Sequence, residues 1–480
     1  MMKKYAFLFC ACLAISAGFA QGYQVNVKAP QYKSGIAYLT YYMGENFNIA
    51  DSAAVSPTGA MLFKGSGKLE PGIYAIFFPG KKTRFEFLVD KSQKITLNAP
   101  DTNDIVGKGT ITGAPENNLY TQYQKFVSVK GRALQEAKQN YAKARTAADS
   151  SLHEKTYNAL TKELNDYREN IIKTQPASMM AALLNAMRDP QLPTKVPVTH
   201  QDSLDNYYFY KNHYWDGTTF MDDRIIRTPF FLRKLQTYYR EVIPKEPDSV
   251  IADVDYKLLL ARNSPEMFKF LLNWLTDEYI NPQYMGQDAI FVHLFNKYHS
   301  KNLSPWLNEK QMETISRRAY MLMANLIGDK AANLEMIDST GKATPLYDVN
   351  ADYTVVCFWD PNCGHCKEEV PRLDSIYQAS WKNHNVKIYA VLTPDDKASS
   401  RTDWVNFIKT HNLGSWVNVY QTKEMEDADY KAQRPSFRQL YDVIMTPTLF
   451  LLDKDKRIIG KKLTWKQLND LMEVKWKPSN

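Results

Sequence analysis

The sequence predicts a multidomain chain with an N-terminal antiparallel β-sandwich, an all-α middle domain and a C-terminal α/β domain. Length is the first reason: 480 residues are too many for one ordinary core, and about 150 residues per domain suggests roughly three. The second is that the hydrophobic pattern changes period twice, near Pro115 and near Asn333. The third is composition. At 44% hydrophobic, 13% aromatic and 23% charged, the chain can bury substantial cores, which excludes largely disordered, collagen-like and disulfide-stapled classes. Boundaries fall at 1–20, 21–113, 114–329 and 330–480. The net charge of +8 arises from 60 basic and 52 acidic residues without a long basic block. That describes a mildly basic solvated surface and no nucleic-acid partner.

Residues 1–20 read as a secretory signal: Lys3 and Lys4 precede a short apolar run from Tyr5 to Ala17, and Gly18-Phe19-Ala20 supplies small residues for cleavage. The run is shorter than a membrane span requires. The expectation is an exported, soluble chain beginning near Gln21. Cys10 and Cys12 raise a lipoprotein alternative, but each follows too few apolar residues. Of the 5 cysteines, only Cys357, Cys363 and Cys366 outlast the signal. Export implies an oxidising compartment, yet so few thiols do not make a disulfide framework, and their clustering points to chemistry instead.

From Tyr23 to about Thr112, short β-branched or aromatic runs (Val25/Val27, Ile36–Tyr42, Ala60–Phe63, Ile73–Phe78, Phe85–Val89, Ile95–Leu97) alternate with Gly- and Pro-containing turns. This spacing suggests an antiparallel sandwich. Gly65-Ser66-Gly67-Lys68 lacks the earlier glycine and the following Ser/Thr of a phosphate loop, so it reads as a turn.

After Pro115 the period becomes helical. Leu119, Tyr123, Phe126 and Val127 share one face, and Leu160, Leu164, Tyr167 and Ile171 another. Ser264-Pro265 is a helix start, followed by the stripe Phe268, Leu271, Leu272, Leu275 and Tyr279. Pro190–Pro197 reads as a loop. His213, His293 and His299 lack an acid or thiol companion at metal-ligand spacing and read as packed or surface residues; no metal is expected.

From about Asn333 strands and helices alternate. Leu334–Ile337 and Thr344–Leu346 suggest a hairpin. Strands follow at Thr354–Trp359, Val386–Leu392 and Trp416–Tyr420, with helices after Cys363 and over Trp404–His411. A second hairpin joins Thr448–Leu452 to Ile458–Lys461, and a last helix spans Trp465–Val474. Such alternation gives a sheet covered on both faces.

Asp360-Pro361-Asn362-Cys363-Gly364-His365-Cys366 follows the apolar strand and opens a helix. Free amide donors and the positive end of the helix dipole favour thiolate at Cys363, lowering its pKa from about 8.5 towards 7 or below. Thiolate is the attacking species in disulfide exchange. Cys366, one turn further in, is expected to be more buried and to close the ring, and the imidazole of His365 can stabilise the thiolate. Three other readings compete with redox chemistry. A structural zinc site needs ligands that a second cysteine pair would supply, and there is none. A peroxidatic cysteine normally lacks a partner two residues on. An inert structural dithiol stays open.

In these residues the chain resembles the thioredoxin superfamily, particularly envelope members of the TlpA/ResA type, over roughly residues 330–480. Phe358 and Trp359 stand before the dithiol at the family's spacing, and Cys363-Gly364-His365-Cys366 is similar to the pair of protein disulfide isomerases. Pro371 matches the helix-kinking proline, and Met445-Thr446-Pro447-Thr448 matches the loop whose proline is cis in the family. The resemblance implies that Thr446, Pro447 and Trp359 contact substrate. It also implies that Glu369, three residues after Cys366, handles protons beside that thiol. Where many relatives carry a buried acid, this chain has Cys357, which cannot serve as that carboxylate and reads as a core residue.

His213-Tyr214-Trp215-Asp216 and Arg227-Thr228-Pro229-Phe230 are similar to a helical region found upstream of such domains in exported Bacteroidetes proteins, where neither upstream part has a known role. The expectation is therefore a periplasmic thiol–disulfide oxidoreductase acting on cysteine-containing envelope proteins, with no cofactor beyond the Cys363–Cys366 couple. On resemblance it runs as a reductase supplied by a membrane-embedded electron donor. Disulfide isomerase, or an envelope scaffold with a vestigial redox module, is the alternative.

Overall fold

The computed structural model describes residues 22–193, 196–394 and 401–476. The expected signal segment and part of the Pro190–Pro197 loop lie outside the described residues. The chain forms two compact units: one ends at Ile243 and includes Leu260–Phe268, and the other comprises Pro244–Leu259 and Lys269–Asn480. The helical middle contributes to both.

The N-terminal strands are β1 (Gln24–Lys28), β2 (Ile36–Met43), β3 (Asn46–Ala54), β4 (Ala60–Lys64), β5 (Gly72–Phe77), β6 (Arg84–Val89), β7 (Lys94–Asn98) and β8 (Thr110–Thr112). They make two four-stranded sheets, β4-β1-β7-β8 and β3-β2-β5-β6. Alternate side chains such as Val25, Val27, Leu39, Phe63, Ile76, Phe87 and Leu97 from both sheets share one core, as a sandwich requires. Three details differ from expectation, one being β8, a three-residue strand outside every expected run. β1 and β7 pair in parallel, and β3 was not expected, because an edge strand of mixed polarity leaves no apolar run to recognise. The outer edge of β6 is closed by a side chain: Asn117 accepts from the Leu88 amide at 2.7 Å and donates to the Leu88 carbonyl at 2.9 Å. This satisfies backbone groups that an edge would leave bare.

Helices Glu116–Lys143 and Ala147–Thr174 pack their expected stripes together. Phe126 stacks on Tyr167 at 4.0 Å between centroids, and Arg168 donates to the Tyr123 hydroxyl at 3.0 Å. Helix Pro265–Tyr279 begins where Ser264-Pro265 predicted.

In the C-terminal unit the strands are β9 (Ile337–Asp338), β10 (Tyr353–Trp359), β11 (Val386–Leu392), β12 (Val417–Tyr420), β13 (Thr448–Asp453) and β14 (Ile458–Lys461). They form one sheet in the order β14-β13-β10-β11-β12-β9. β10, β11 and β12 run parallel, while β13 runs antiparallel to β10. Central β10 is buried on both faces. Val355, Cys357 and Trp359 join one core layer and Val356 and Phe358 the other, which explains its unbroken apolar run. The hairpin expected at 334–346 is vestigial: only β9 forms, with a single bridge from Ile337 to Ala343, and Leu346–Asp348 is a helical turn.

Candidate active site

β10 delivers the chain through Asp360-Pro361-Asn362 to Cys363, which caps the N-terminus of helix Gly364–Ala379. The backbone around the dithiol is held by Asp360. Its carbonyl accepts from the Cys363 amide at 3.2 Å, its amide donates to Cys366 Sγ at 3.5 Å, and its carboxylate accepts from the Asn362 amide at 2.8 Å. Asp360 is itself buried. Sequence reasoning passed over it, although an Asp two residues before an amide at a helix start is a signal for such a local turn.

The two thiols lie in different environments. Cys363 is partly exposed, whereas Cys366 is fully buried in the core layer below. Burial opposes ionisation at Cys363. Hydrogen bonds from the Thr446 side chain, from Cys366 and from the backbone of His365 outweigh it, so the pKa falls below that of a free thiol. Burial drives the Cys366 thiol the other way, up to about 12. The two environments separate the thiols: ionisation is favoured at Cys363 and opposed at Cys366.

Facing them is the loop before β13. The Thr446–Pro447 peptide bond is cis, as the resemblance implied, and the Cys363 thiol donates to the Thr446 carbonyl oxygen at 3.4 Å. Thr446 is nearly buried and Pro447 partly exposed, while Ile444 and Met445 just before them stand out into solvent. Those two apolar side chains were not singled out from the sequence.

Three other expected residues take less direct places. Trp359 corrects the expectation that it meets substrate: its side chain is completely buried and packs on Phe407, because its position on doubly covered β10 turns it into the core. Glu369 sits half-buried on the helix, with its carboxylate 3.5 Å from the Arg372 guanidinium. His365 is exposed on the first turn. Cys357 is a core residue whose thiol burial pushes far up. Pro371 lies within the helix.

Among the described residues no group of three or more His, Cys, Asp or Glu side chains is gathered to hold a metal ion. The histidines do have partners, and for His213 it is an acid only three residues on. His213 meets Asp216 at 2.7 Å, and His293 meets Asp255 at 2.9 Å. His299 lies between Thr276 and Ser304. No described helix is long and apolar enough to cross a membrane.

A sheet buried on both faces, a dithiol at a helix start and a cis-proline loop against it define a thioredoxin-like thiol–disulfide oxidoreductase domain. The family match and the curated relatives agree. Residues 327–461 match the AhpC/TSA family, and two domains of unknown function, DUF4369 and DUF5106, match residues 23–120 and 128–325. A thiol-disulfide oxidoreductase ResA of Bacillus thuringiensis subsp. konkukian is 28% identical over 133 residues, which is 28% of this chain and 67% of the relative. Among solved structures, a domain of a possible thiol-disulfide isomerase from Cytophaga hutchinsonii is 35% identical, covering 32% of this chain and 94% of that one with a TM-score of 0.26. A thioredoxin-like protein from Bacteroides caccae is 21% identical and covers 60% of this chain and 98% of that one, with a TM-score of 0.44.

Proposed function

We propose that the chain is an exported thiol–disulfide oxidoreductase that reduces disulfides in cysteine-containing envelope proteins through Cys363 and Cys366. The observation that carries this is the contrast between the two thiols: Cys363 reachable and biased towards thiolate, Cys366 buried with its pKa at about 12. Cys363 thiolate attacks one sulfur of a client disulfide. A Cys363–client disulfide forms, and the other client sulfur leaves as thiolate with the electron pair. Cys366 then loses its proton, with Glu369 as the proposed acceptor, and attacks Cys363. The Cys363–Cys366 bond forms and the second client thiolate departs. The client is reduced and the dithiol oxidised; a membrane-embedded donor returns the two electrons. Thr446 and Pro447 position the client, and no cofactor beyond the couple is invoked.

The reducing direction is favoured because burial partly offsets the hydrogen bonds that favour Cys363 thiolate and so limits the fall in its pKa. A strong oxidant of this kind owes its potential to a strongly stabilised reduced form. His365 acts on Cys363 through its backbone, with its ring exposed, so it is a weak argument for oxidation. The periplasm is proposed from the leader-like residues 1–20. The test is the reduction potential of the Cys363–Cys366 couple, measured against glutathione. A value near about −270 mV fits a reductant, whereas about −120 to −180 mV would reassign the protein as an oxidant or isomerase.

A further inference from the structure

Within the C-terminal unit a cavity of about 380 Å³ opens beside the loop that faces the dithiol. That volume is at the lower end of ligand sites. Ile444 forms part of its wall, two residues before Thr446. The opposite wall comes from the helical region, from the loop carrying Tyr284 and Met285 and from Leu322 on helix Glu309–Met323.

The two walls are bolted together. Arg318 of that helix reaches the buried Asp442 at 2.6 Å, and Lys462 pairs with the same carboxylate. Lys461 at the end of β14 pairs with Asp288 and donates to the Asn325 carbonyl at 2.7 Å, while the Asn325 amide donates to the Leu440 carbonyl at 2.9 Å. The cleft is therefore a standing feature of the unit.

Its lining sets the apolar side chains of Tyr284, Met285, Leu322, Ile444 and Leu463 among polar and charged ones, with a faint positive bias. Tyr284, Met285, Ile444 and Met445 are 49%, 45%, 66% and 69% exposed. A cluster of large apolar side chains left in water marks an interaction surface, and methionines adapt to varied partners. The charged groups around it are already paired with one another. Three cations (Arg318, Lys461, Lys462) against two acids (Asp288, Asp442) disfavour a basic occupant without offering a free charge to an acidic one.

The occupant follows from continuity with the reactive sulfur. Cys363 Sγ lies 3.4 Å from the Thr446 carbonyl oxygen, and Ile444 on the cleft wall is two residues from Thr446, at most about 7 Å along the chain. A client chain extended from Cys363 past this loop therefore reaches the cleft within about three residues. We infer that this cleft seats an apolar side chain flanking the client's reacting cysteine, so that the helical region selects incompletely folded clients. In a folded client such side chains are mostly buried; only an unfolded or misfolded segment presents them. The inference rests on the exchange chemistry proposed above and assigns a task to part of the DUF5106 region.

The test uses the full reduced chain and short peptides whose central cysteine is held in a mixed disulfide with thionitrobenzoate. Attack by Cys363 on the peptide sulfur forms one S–S bond, breaks one and releases coloured thionitrobenzoate; Cys366 then frees the peptide thiol. Phe, Ala or Lys is placed in turn at each of the three positions on either side of the cysteine. At one or more positions Phe should react about tenfold faster than Ala in the single-turnover second-order rate constant, and Lys more slowly than Ala. Tyr284→Ser and Ile444→Ser should each shrink the Phe/Ala ratio to less than about threefold. Equal rates for Phe and Ala at every position, with all peptides reacting, overturn the cleft and leave the dithiol chemistry standing. A preference untouched by both substitutions overturns it as well. If no peptide reacts, the exchange reading falls and the cleft with it.

Discussion

The sulfur of Cys363 lies 3.4 Å from the carbonyl oxygen of Thr446, although 83 positions separate the two residues. A helix start and a loop before an antiparallel strand are thereby joined at one reactive atom. The loop has two effects on it. The carbonyl accepts from the thiol, and the Thr446 side chain donates to the thiolate. The balance, set against burial, leaves the pKa below the ordinary value.

The first prediction concerns selective alkylation. At pH 7, a thiol with a pKa of about 12 is ionised to only about one part in 100,000, so Cys366 should resist iodoacetamide while Cys363 reacts. Mass spectrometry of the reduced, briefly treated protein should find one label, on Cys363. Its rate should rise with pH through a midpoint below that of free cysteine. Thr446→Val removes the donating hydroxyl and should move that midpoint upward. A label on Cys366, or an unmoved midpoint, would contradict the geometry.

A second prediction separates the three thiols. Cys366→Ser removes the thiol proposed to resolve the mixed disulfide, so client proteins should accumulate as dithiothreitol-sensitive adducts on non-reducing gels. Cys363→Ala should give none. Cys357 lies wholly inside the sheet's core layer, so Cys357→Ala should leave insulin reduction unchanged and cost roughly 1–2 kcal/mol of stability from the lost packing. Loss of insulin reduction in Cys357→Ala would give that sulfur a role the fold does not.

Much of this was legible in the sequence because its signals are local. The run Thr354–Trp359 is short, apolar and rich in β-branched and aromatic residues, which reads as a buried strand, and the Asp360-Pro361-Asn362 stretch after it reads as a turn into a helix. What escaped depends on tertiary neighbours. A doubly covered strand carries no alternation, so nothing distinguished Trp359 facing the core from Trp359 facing a substrate. β3 escaped because its edge position tolerates Asn46, Asn48 and Asp51 among its residues. The partners of His293 and Arg318 lie 38 and 124 positions away. The exposure of Ile444 and Met445 was hidden for the same reason: burial is a property of the assembled loop.

The third prediction concerns pH and stability. His299 is buried, with its Nε2 at 2.8 Å from Thr276 Oγ1 and its Nδ1 at 2.9 Å from Ser304 Oγ. The Thr276 hydroxyl already donates to the Leu272 carbonyl, so Nε2 carries the proton and Nδ1 accepts, which is a neutral ring. Burial lowers the pKa from 6.5 to about 4. Below pH 6.5 the unfolded chain binds a proton that the folded chain refuses until about pH 4. The stabilisation is therefore complete above 6.5 and lost as pH falls to about 4, by up to about 3 kcal/mol. Urea melts of the native protein and His299→Gln at pH 7.5, 5.5 and 4 should show the advantage of the native histidine shrinking with each step. A constant difference across the three would refute the neutral assignment.

The last prediction tests the bolt between the helical wall and the redox domain. Asp442 is completely buried, and Arg318 is 15% exposed at 2.6 Å from it. Removing one member of such a pair leaves a charge stranded away from water, a loss of several kcal/mol in a fully buried pair. Here Lys462 still reaches the same carboxylate, so Arg318→Met should cost less, about 2 kcal/mol. Asp442→Asn leaves two cations facing each other and should cost a similar amount. The two changes together should cost clearly less than their sum, since each removes the partner whose isolation made the other expensive. Urea unfolding of the two single variants and the double variant closes the cycle. Strict additivity would mean that Arg318 and Asp442 do not sense each other, and the wall opposite Ile444 would lose its anchor.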